Sequence, residues 1–359
     1  MKYGIKIDHI SFIDEHGVLT DPLALFVNDP AALVHMYELM VITRALDQKG
    51  INMSKVRQVG TYASTLGEEA VDVGIGCAIL DAPGTVFAPY YRNHGTLIAL
   101  KGEMAFLSTL LFWGGDERGN QISDADSLLP FAVPIGTQFP IATGLAKGRR
   151  LLKKAGAIVV TGGDGSTSKG DFNSSLNEAA TKKLPIVFVI KNNQWAISMP
   201  LSEQTATNPL AMRASGYAMQ AKVVDGNDVL AVRHAVSLGI AHANAGKGPM
   251  LIEAKTYRLA DHTTVDSAKD YRGDDEVEAA RTREPVARMR KFLVNSGHWE
   301  AKQEDALIKR VTDTANNIQK LYLETPPQAS SDMLNYLFEQ IPDVSSCREQ
   351  LAEITRKGK

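Results

Sequence analysis

The most constraining feature of this chain is an apolar run that stops dead on glycines. AIVV leads into TGGDGST at residues 161–167; a segment of helical spacing follows, and PIVFVI then ends in Lys191-Asn192-Asn193. Continuous apolar runs of this length read as strands buried on both faces, which occur in parallel sheets with helices on each side. Strand, helix and strand joined by a right-handed crossover place both strand C-termini on one edge, where open α/β sheets bind ligands. Asp164 and Asn193, distant in sequence, can therefore meet in space.

The same alternation runs on either side. Asp29-Pro30 opens a helix, a second helix covers about 67–80, TVFAPY at 85–90 reads as a strand, and helices are expected at about 96–112 and 137–154. Beyond strands 157–161 and 185–190, a strand near 222–224, a helix over 227–245 and a strand at 250–256 extend the pattern. The expected fold is α/β: a doubly wound, mostly parallel sheet with helices on both faces. Its organisation reads as an extended arm over 1–29 with a turn at Glu15-His16-Gly17, an α/β domain over 30–275 that ends in a polar loop from 257, and a charged helical extension over 276–359.

Whole-chain properties narrow the function. The 359 residues carry a net charge of −2, which points to neither a nucleic-acid nor a membrane-surface protein. The basic run at 147–154 reads as a solvated helix face. Two cysteines, Cys77 and Cys347, match no metal spacing. No apolar stretch reaches the roughly 20 residues a bilayer needs, and no secretory leader is visible. A reducing, cytoplasmic setting is expected.

Asp164 offers a carboxylate oxygen and Asn193 an amide oxygen, hard donors suited to Mg²⁺ or Ca²⁺ that leave positions open for phosphate oxygens. Gly163 and Gly165 allow close backbone approach, and a helix beginning near Ser166–Lys169 would aim free N–H groups at an anion. Taken alone, GDG is a tight turn and NN a loop. The spacing is more informative, because 26 residues separate GDG from NN. A dinucleotide fingerprint is a poor match: GGDGST is not G-x-G-x-x-G, and the next strand ends in KNN rather than an acidic residue. No Gly-Lys-Ser/Thr loop occurs.

GDG followed at this distance by NN resembles the thiamine diphosphate motif. The resemblance extends, in order, over RALDQKG, YASTLGEEA, YYRNHG, GNQISDADSLLPFAVPIGTQFPIATG, GDGSTSKGDFNSSLNEAA, KNNQWAIS and YRLADHTTVDSAKDYR. It is similar to the α subunits of the decarboxylating component of 2-oxo acid dehydrogenase complexes, most of all to bacterial pyruvate dehydrogenase α subunits. The resemblance implies that Asp164, Asn193 and the carbonyl of Trp195 hold Mg²⁺ on the cofactor's diphosphate. Tyr91 and Arg92 would contact that diphosphate, and Tyr90, Gly163, Gly165, Ser166 and Lys191 would also belong to the cofactor-binding set. Val133 and Ile135 would lie at the aminopyrimidine. His262 would be the catalytic residue, assisting acyl transfer to lipoamide near neutrality, where an imidazole titrates. His94 is expected in a structural role. Asp116-Glu117-Arg118 departs from relatives that carry histidines there.

The implied partners are a β subunit in an α2β2 assembly, a lipoyl dihydrolipoamide acyltransferase and a small 2-oxo acid. The chain looks too short to hold a pyrimidine-binding domain as well. Pyruvate stands first as substrate, with 3-methyl-2-oxobutanoate and acetoin as alternatives. A non-catalytic scaffold and a nicotinamide dehydrogenase are the readings from other classes.

Overall fold

The computed structural model describes residues 7–21, 29–124, 126–131 and 133–329, with isolated positions after 348. Cys347 and most of the expected C-terminal tail lie outside the described residues. The first half carries β1 (Asp8–Ile10), α1 (Pro30–Lys55), α2 (Glu69–Leu80), β2 (Val86–Ala88), α3 (His94–Lys101), α4 (Ala105–Trp113) and α5 (Gln138–Leu151). Then come β3 (Ile158–Gly163), α6 (Gly170–Thr181), β4 (Ile186–Asn192), a small hairpin of β5 (Trp195–Ala196) and β6 (Met199–Pro200), and the short α7 (Leu201–Gln204). β7 (Gln220–Asp225), α8 (Val229–Asn244) and β8 (Met250–Lys255) complete the sheet, and α9 (Asp274–Arg281), α10 (Pro285–Asn295) and α11 (Ala301–Glu324) follow.

Six strands form one sheet in the order β1-β7-β8-β4-β3-β2, and every neighbouring pair is parallel. Alternate residues divide between two cores, as the pleat requires. Val159, Val187, Val189 and Ile252 pack with α1, α2, α8 and α10 on one face. Ile158, Val160, Ile186 and Phe188 pack with Phe139 of α5 and Phe172 and Leu176 of α6 on the other. The expected doubly wound sheet is thus present.

Local chemistry explains the boundaries. Asp29 caps α1 by accepting from Ala32 N at 3.1 Å, with Pro30 in the first turn. Asp228 caps α8 through Oδ1 while its Oδ2 accepts from Phe12 N and Ile13 N at 2.6 and 2.8 Å. That carboxylate binds the N-terminal arm to the sheet, and the arm supplies a strand, β1, that its composition did not announce. The helix expected over 96–112 is two helices, because Gly102 takes φ +83°, a conformation that ends α3.

Register positions the site. Gly163 of β3 lies opposite Lys191 of β4, and Lys191 lies opposite Ala254 of β8. Asp164 and Asn193 therefore leave adjacent strands at the same edge. The chain after Gly163 first makes a 3-10 turn, Asp164–Ser168, and α6 begins only at Gly170. The helix start expected near Ser166–Lys169 falls at the end of that span, after a turn whose hydroxyls bond its own carbonyls: Thr167 Oγ1 donates to Asp164 O at 2.7 Å.

Candidate active site

A cavity of ≈ 190 Å³ opens at the C-terminal edge of β3 and β4. Tyr90, Tyr91, Arg92, Val133, Ile135, Gly163, Asp164, Gly165, Ser166, Asn193, Trp195 and His262 all line it. Of the residues expected there, Lys191 alone does not. Its side chain is 0% exposed and its Nζ is occupied by Asp72, Glu68 and the carbonyl of Arg92. Lys191 sits inside β4, and its ammonium is drawn to those buried acceptors instead of opening into the cavity.

Asp164 is the most informative residue of the cavity. It is 1% exposed, and its Oδ2 has no hydrogen-bond partner. Burial raises its pKa to about 7, opposed by backbone N–H groups, including that of Asn193. A buried carboxylate oxygen without a donor is a position that a cation satisfies. Asn193 donates through Nδ2 to Glu68 Oε1 at 2.7 Å; its Oδ1 accepts from Trp195 N at 3.3 Å and keeps a second lone pair with which to ligate. The Trp195 carbonyl accepts from Arg258 Nη1 at 3.3 Å and retains a second lone pair. These oxygens fit a hard divalent cation.

The two glycines differ. A Cβ on Gly165 would lie 2.9 Å from Ala196 Cβ, so the β5–β6 hairpin requires glycine there. A Cβ on Gly163 would meet nothing within 4 Å, and the backbone at that position is extended. Gly163 keeps cavity space open rather than permitting a turn.

Two buried arginines meet His262, of which Arg92 lines the cavity and Arg258 does not. Arg92 donates to the carbonyls of Ser64 and His262 and lies against the Tyr91 ring. Arg258, which sequence reasoning missed, donates to Ile197 O and Tyr271 Oη at 2.8 Å each. The guanidinium holds the carbonyl of Ile197 while that β-branched residue sits at φ +58°, a conformation it rarely adopts. The signal available in the sequence was an arginine four residues before His262 in a polar loop.

His262 Nδ1 lies 3.3 Å from Arg92 Nη2 and 3.4 Å from Arg258 Nη1. A guanidinium only donates, so Nδ1 accepts and the ring proton belongs on Nε2. Burial, then the charges of Arg92 and Arg258, lower the His262 pKa to about 3. The expectation that His262 titrates near neutrality is therefore corrected: in this chain alone it is a neutral imidazole with an N–H donor. Asp266 accepts from its backbone N–H at 2.8 Å and fixes the turn.

Tyr90 Oη is buried without a partner, and burial holds the phenol protonated. Val133 and Ile135, at 47% and 43% exposure, form an apolar lip instead of core. His94 does not line the cavity; it is buried against Tyr62 Oη at 3.0 Å, as its structural role requires. Asp116 pairs with Arg118 within its own turn, and Arg118 Nη2 donates to Pro326 O at 2.6 Å, tying that loop to the chain after α11. No helix among the described residues is long and apolar enough to cross a membrane.

The fold and site define an α/β protein whose cavity at the sheet's C-terminal edge joins Arg92 and His262 to an oxygen-donor cation position. The chain belongs to the dehydrogenase E1 component family, whose model matches residues 37–329. It is 36% identical over 323 residues to the 3-methyl-2-oxobutanoate dehydrogenase subunit alpha of Mycobacterium tuberculosis, covering 89% of this chain and 87% of that one. It is 34% identical over 343 residues to the pyruvate dehydrogenase E1 component subunit alpha of Staphylococcus aureus, covering 94% and 90%. The Acholeplasma laidlawii pyruvate dehydrogenase E1 component subunit alpha matches at 34% over 292 residues, covering 80% and 84%. This is an α-type chain of a 2-oxo acid dehydrogenase E1 component, and the family implies thiamine diphosphate as cofactor and a β subunit as partner.

Proposed function

We propose that this chain is the α subunit of a thiamine diphosphate- and Mg²⁺-dependent enzyme that decarboxylates a small 2-oxo acid, pyruvate first, and passes the acyl group to a lipoyl acyltransferase. The observation that carries the reading is the buried, partnerless Asp164 Oδ2, which shares one cavity with Asn193, Arg92 and His262. Asp164, Asn193 and the Trp195 carbonyl would hold Mg²⁺; Arg92 would face the diphosphate, which suits a donor-only fork, and Arg258 would steady the Trp195 and Ile197 carbonyls. When bound, thiamine diphosphate supplies the nucleophilic carbon and the electron sink that decarboxylation needs. His262 would present its Nε2–H to an acceptor oxygen, because its Nδ1 is held by the arginines. Val133 and Ile135 would keep water from the reacting end and meet the β subunit of an α2β2 assembly. A cytoplasmic setting goes with this reading.

Pyruvate stands first on the stretches YASTLGEEA, GNQI, IGTQ and GDGSTSKGDF. The Mycobacterium relative favours 3-methyl-2-oxobutanoate as the second reading. The test is co-expression with a β subunit and decarboxylation assays with thiamine diphosphate, Mg²⁺ and an artificial electron acceptor, on pyruvate, 2-oxobutyrate and 3-methyl-2-oxobutanoate. Turnover that disappears in Asp164→Ala is expected, and the preferred acid names the substrate. No turnover of any acid by an assembly that binds no cofactor would overturn the reading.

A further inference from the structure

Beneath the cavity lies a closed ion cluster that none of the roles above uses. Lys191 Nζ stands 2.8 Å from Glu68 Oε2, 2.8 Å from Asp72 Oδ1 and 2.6 Å from Arg92 O. Glu68 Oε1 accepts from Asn193 Nδ2 at 2.7 Å. Glu68 and Lys191 are fully buried, and neither lines the cavity. Gly67 allows no side chain, since a Cβ there would lie 2.4 Å from Tyr257 O, and this tight turn delivers Glu68 under the end of β4.

A carboxylate only accepts and an ammonium only donates, so each contact in the cluster has one permitted direction. The Asn193 atom facing Glu68 has to be Nδ2. We propose that Glu68 is a positioning residue that decides which end of the Asn193 amide is offered to the cation, with Lys191 anchoring Glu68 and the Arg92 backbone to the same point. The inference rests on the reading of Asp164 and Asn193 as a divalent-cation site.

A bland alternative is that Glu68 only neutralises Lys191. Glu68→Gln separates the two. The new amide oxygen faces Lys191, which aims its NH₂ at Asn193 Nδ2. Two donors cannot stay face to face, so the Asn193 amide turns over and presents N–H to the cation. Asn193→Asp alone sets two carboxylates against each other. Combined, the two substitutions restore one donor and one acceptor, leave an oxygen for the cation and keep the charge of the cluster unchanged.

The experiment uses the full chain co-purified with its β subunit. Mn²⁺ is titrated in the presence of thiamine diphosphate, with the free Mn²⁺ signal read by electron paramagnetic resonance and folding checked by thermal unfolding. Glu68→Gln is expected to weaken Mn²⁺ binding about 10–100-fold, the range for groups that orient metal ligands, and the added Asn193→Asp to recover most of that loss. Unchanged binding in Glu68→Gln would overturn the inference, as would a folded double variant that recovers none of the loss. Where Glu68→Gln does not fold, a folded double variant of unchanged cluster charge is compared with the wild type: near-equal Mn²⁺ binding supports the inference, and loss of binding overturns it. A wild-type assembly that takes up no Mn²⁺ would instead bring down the cation-site reading, and this inference with it.

Discussion

Arg92 and His262 meet at two points: Nη2 of the arginine lies 2.9 Å from the histidine carbonyl and 3.3 Å from its Nδ1. The first contact positions the loop and the second dictates the tautomer. With Arg258 Nη1 on the same nitrogen, the imidazole is held neutral by burial and two positive charges. An unpaired buried imidazolium here would face both guanidiniums.

The pH consequence follows from the direction of that shift. The folded-state pKa of about 3 lies below the unfolded value near 6.5, so between these limits the unfolded chain binds more protons. This group therefore lowers stability progressively as pH falls below about 6.5. His262→Gln is expected to show a shallower loss of melting temperature between pH 7 and 5 than the wild type. Arg258→Met is expected to raise the His262 pKa, read from imidazole NMR shifts against pH; an unchanged value would refute the role given to the guanidinium.

Asp164 carries the opposite sign. Its folded-state pKa of about 7 lies above the ordinary 3.8, so it opposes stability fully above pH 7 and the penalty is relieved as pH falls towards 4. Asp164→Asn is expected to stabilise the unloaded chain at pH 8, by a few kcal/mol in order of magnitude, because it removes a buried carboxylate that is ionised there. The same substitution should abolish protection against heating by Mg²⁺ with thiamine diphosphate. One substitution that raises unloaded stability while removing ligand protection marks a functional carboxylate; a loss of both would mark a structural one.

The neighbouring glycines should separate fold from binding. Gly165→Ala drives a Cβ to 2.9 Å from Ala196 and should cost about 1–3 kcal/mol in denaturant unfolding. Gly163→Ala meets no atom within 4 Å and should leave unfolding nearly unchanged. Because Gly163 lines the cavity, its alanine should still weaken thiamine diphosphate binding, measured by quenching of tryptophan fluorescence.

Val133 and Ile135 provide a test of the surface. Both are more than a third exposed, so Val133→Asp and Ile135→Asp should leave the melting temperature of the isolated chain within about 1–2 °C. Assembly with the β subunit should fall sharply, seen as a shift in elution volume on size exclusion. Normal assembly of both variants would remove this lip from the interface.

Much of the site was legible before the structure. Asp164 and Asn193 stood at the ends of two apolar runs, and parallel pairing brings such ends together whatever the side chains are. His262 and Arg92 were visible only through resemblance, since a lone arginine or loop histidine has no local pattern. Arg258 and Glu68 were missed for the same reason: each acts through contacts across long separations, to Trp195 and Ile197 in one case and Asn193 in the other. Lys191 was misplaced because a position beside a motif was read as a position in the cavity. The break at Gly102 and the strand in the N-terminal arm were obscured because apolar periodicity continues through the first and is nearly absent from the second.

The sequence by itself determined the parallel sheet, its two-faced burial and the edge on which the GDG and NN turns meet, because strand periodicity and crossover handedness are local physics. Tertiary structure alone decided the charge states and directions within that edge. Whether His262 is neutral, which way the Asn193 amide faces and what Lys191 grips depend on desolvation and on donors brought from remote segments, and those quantities exist only once the chain is packed.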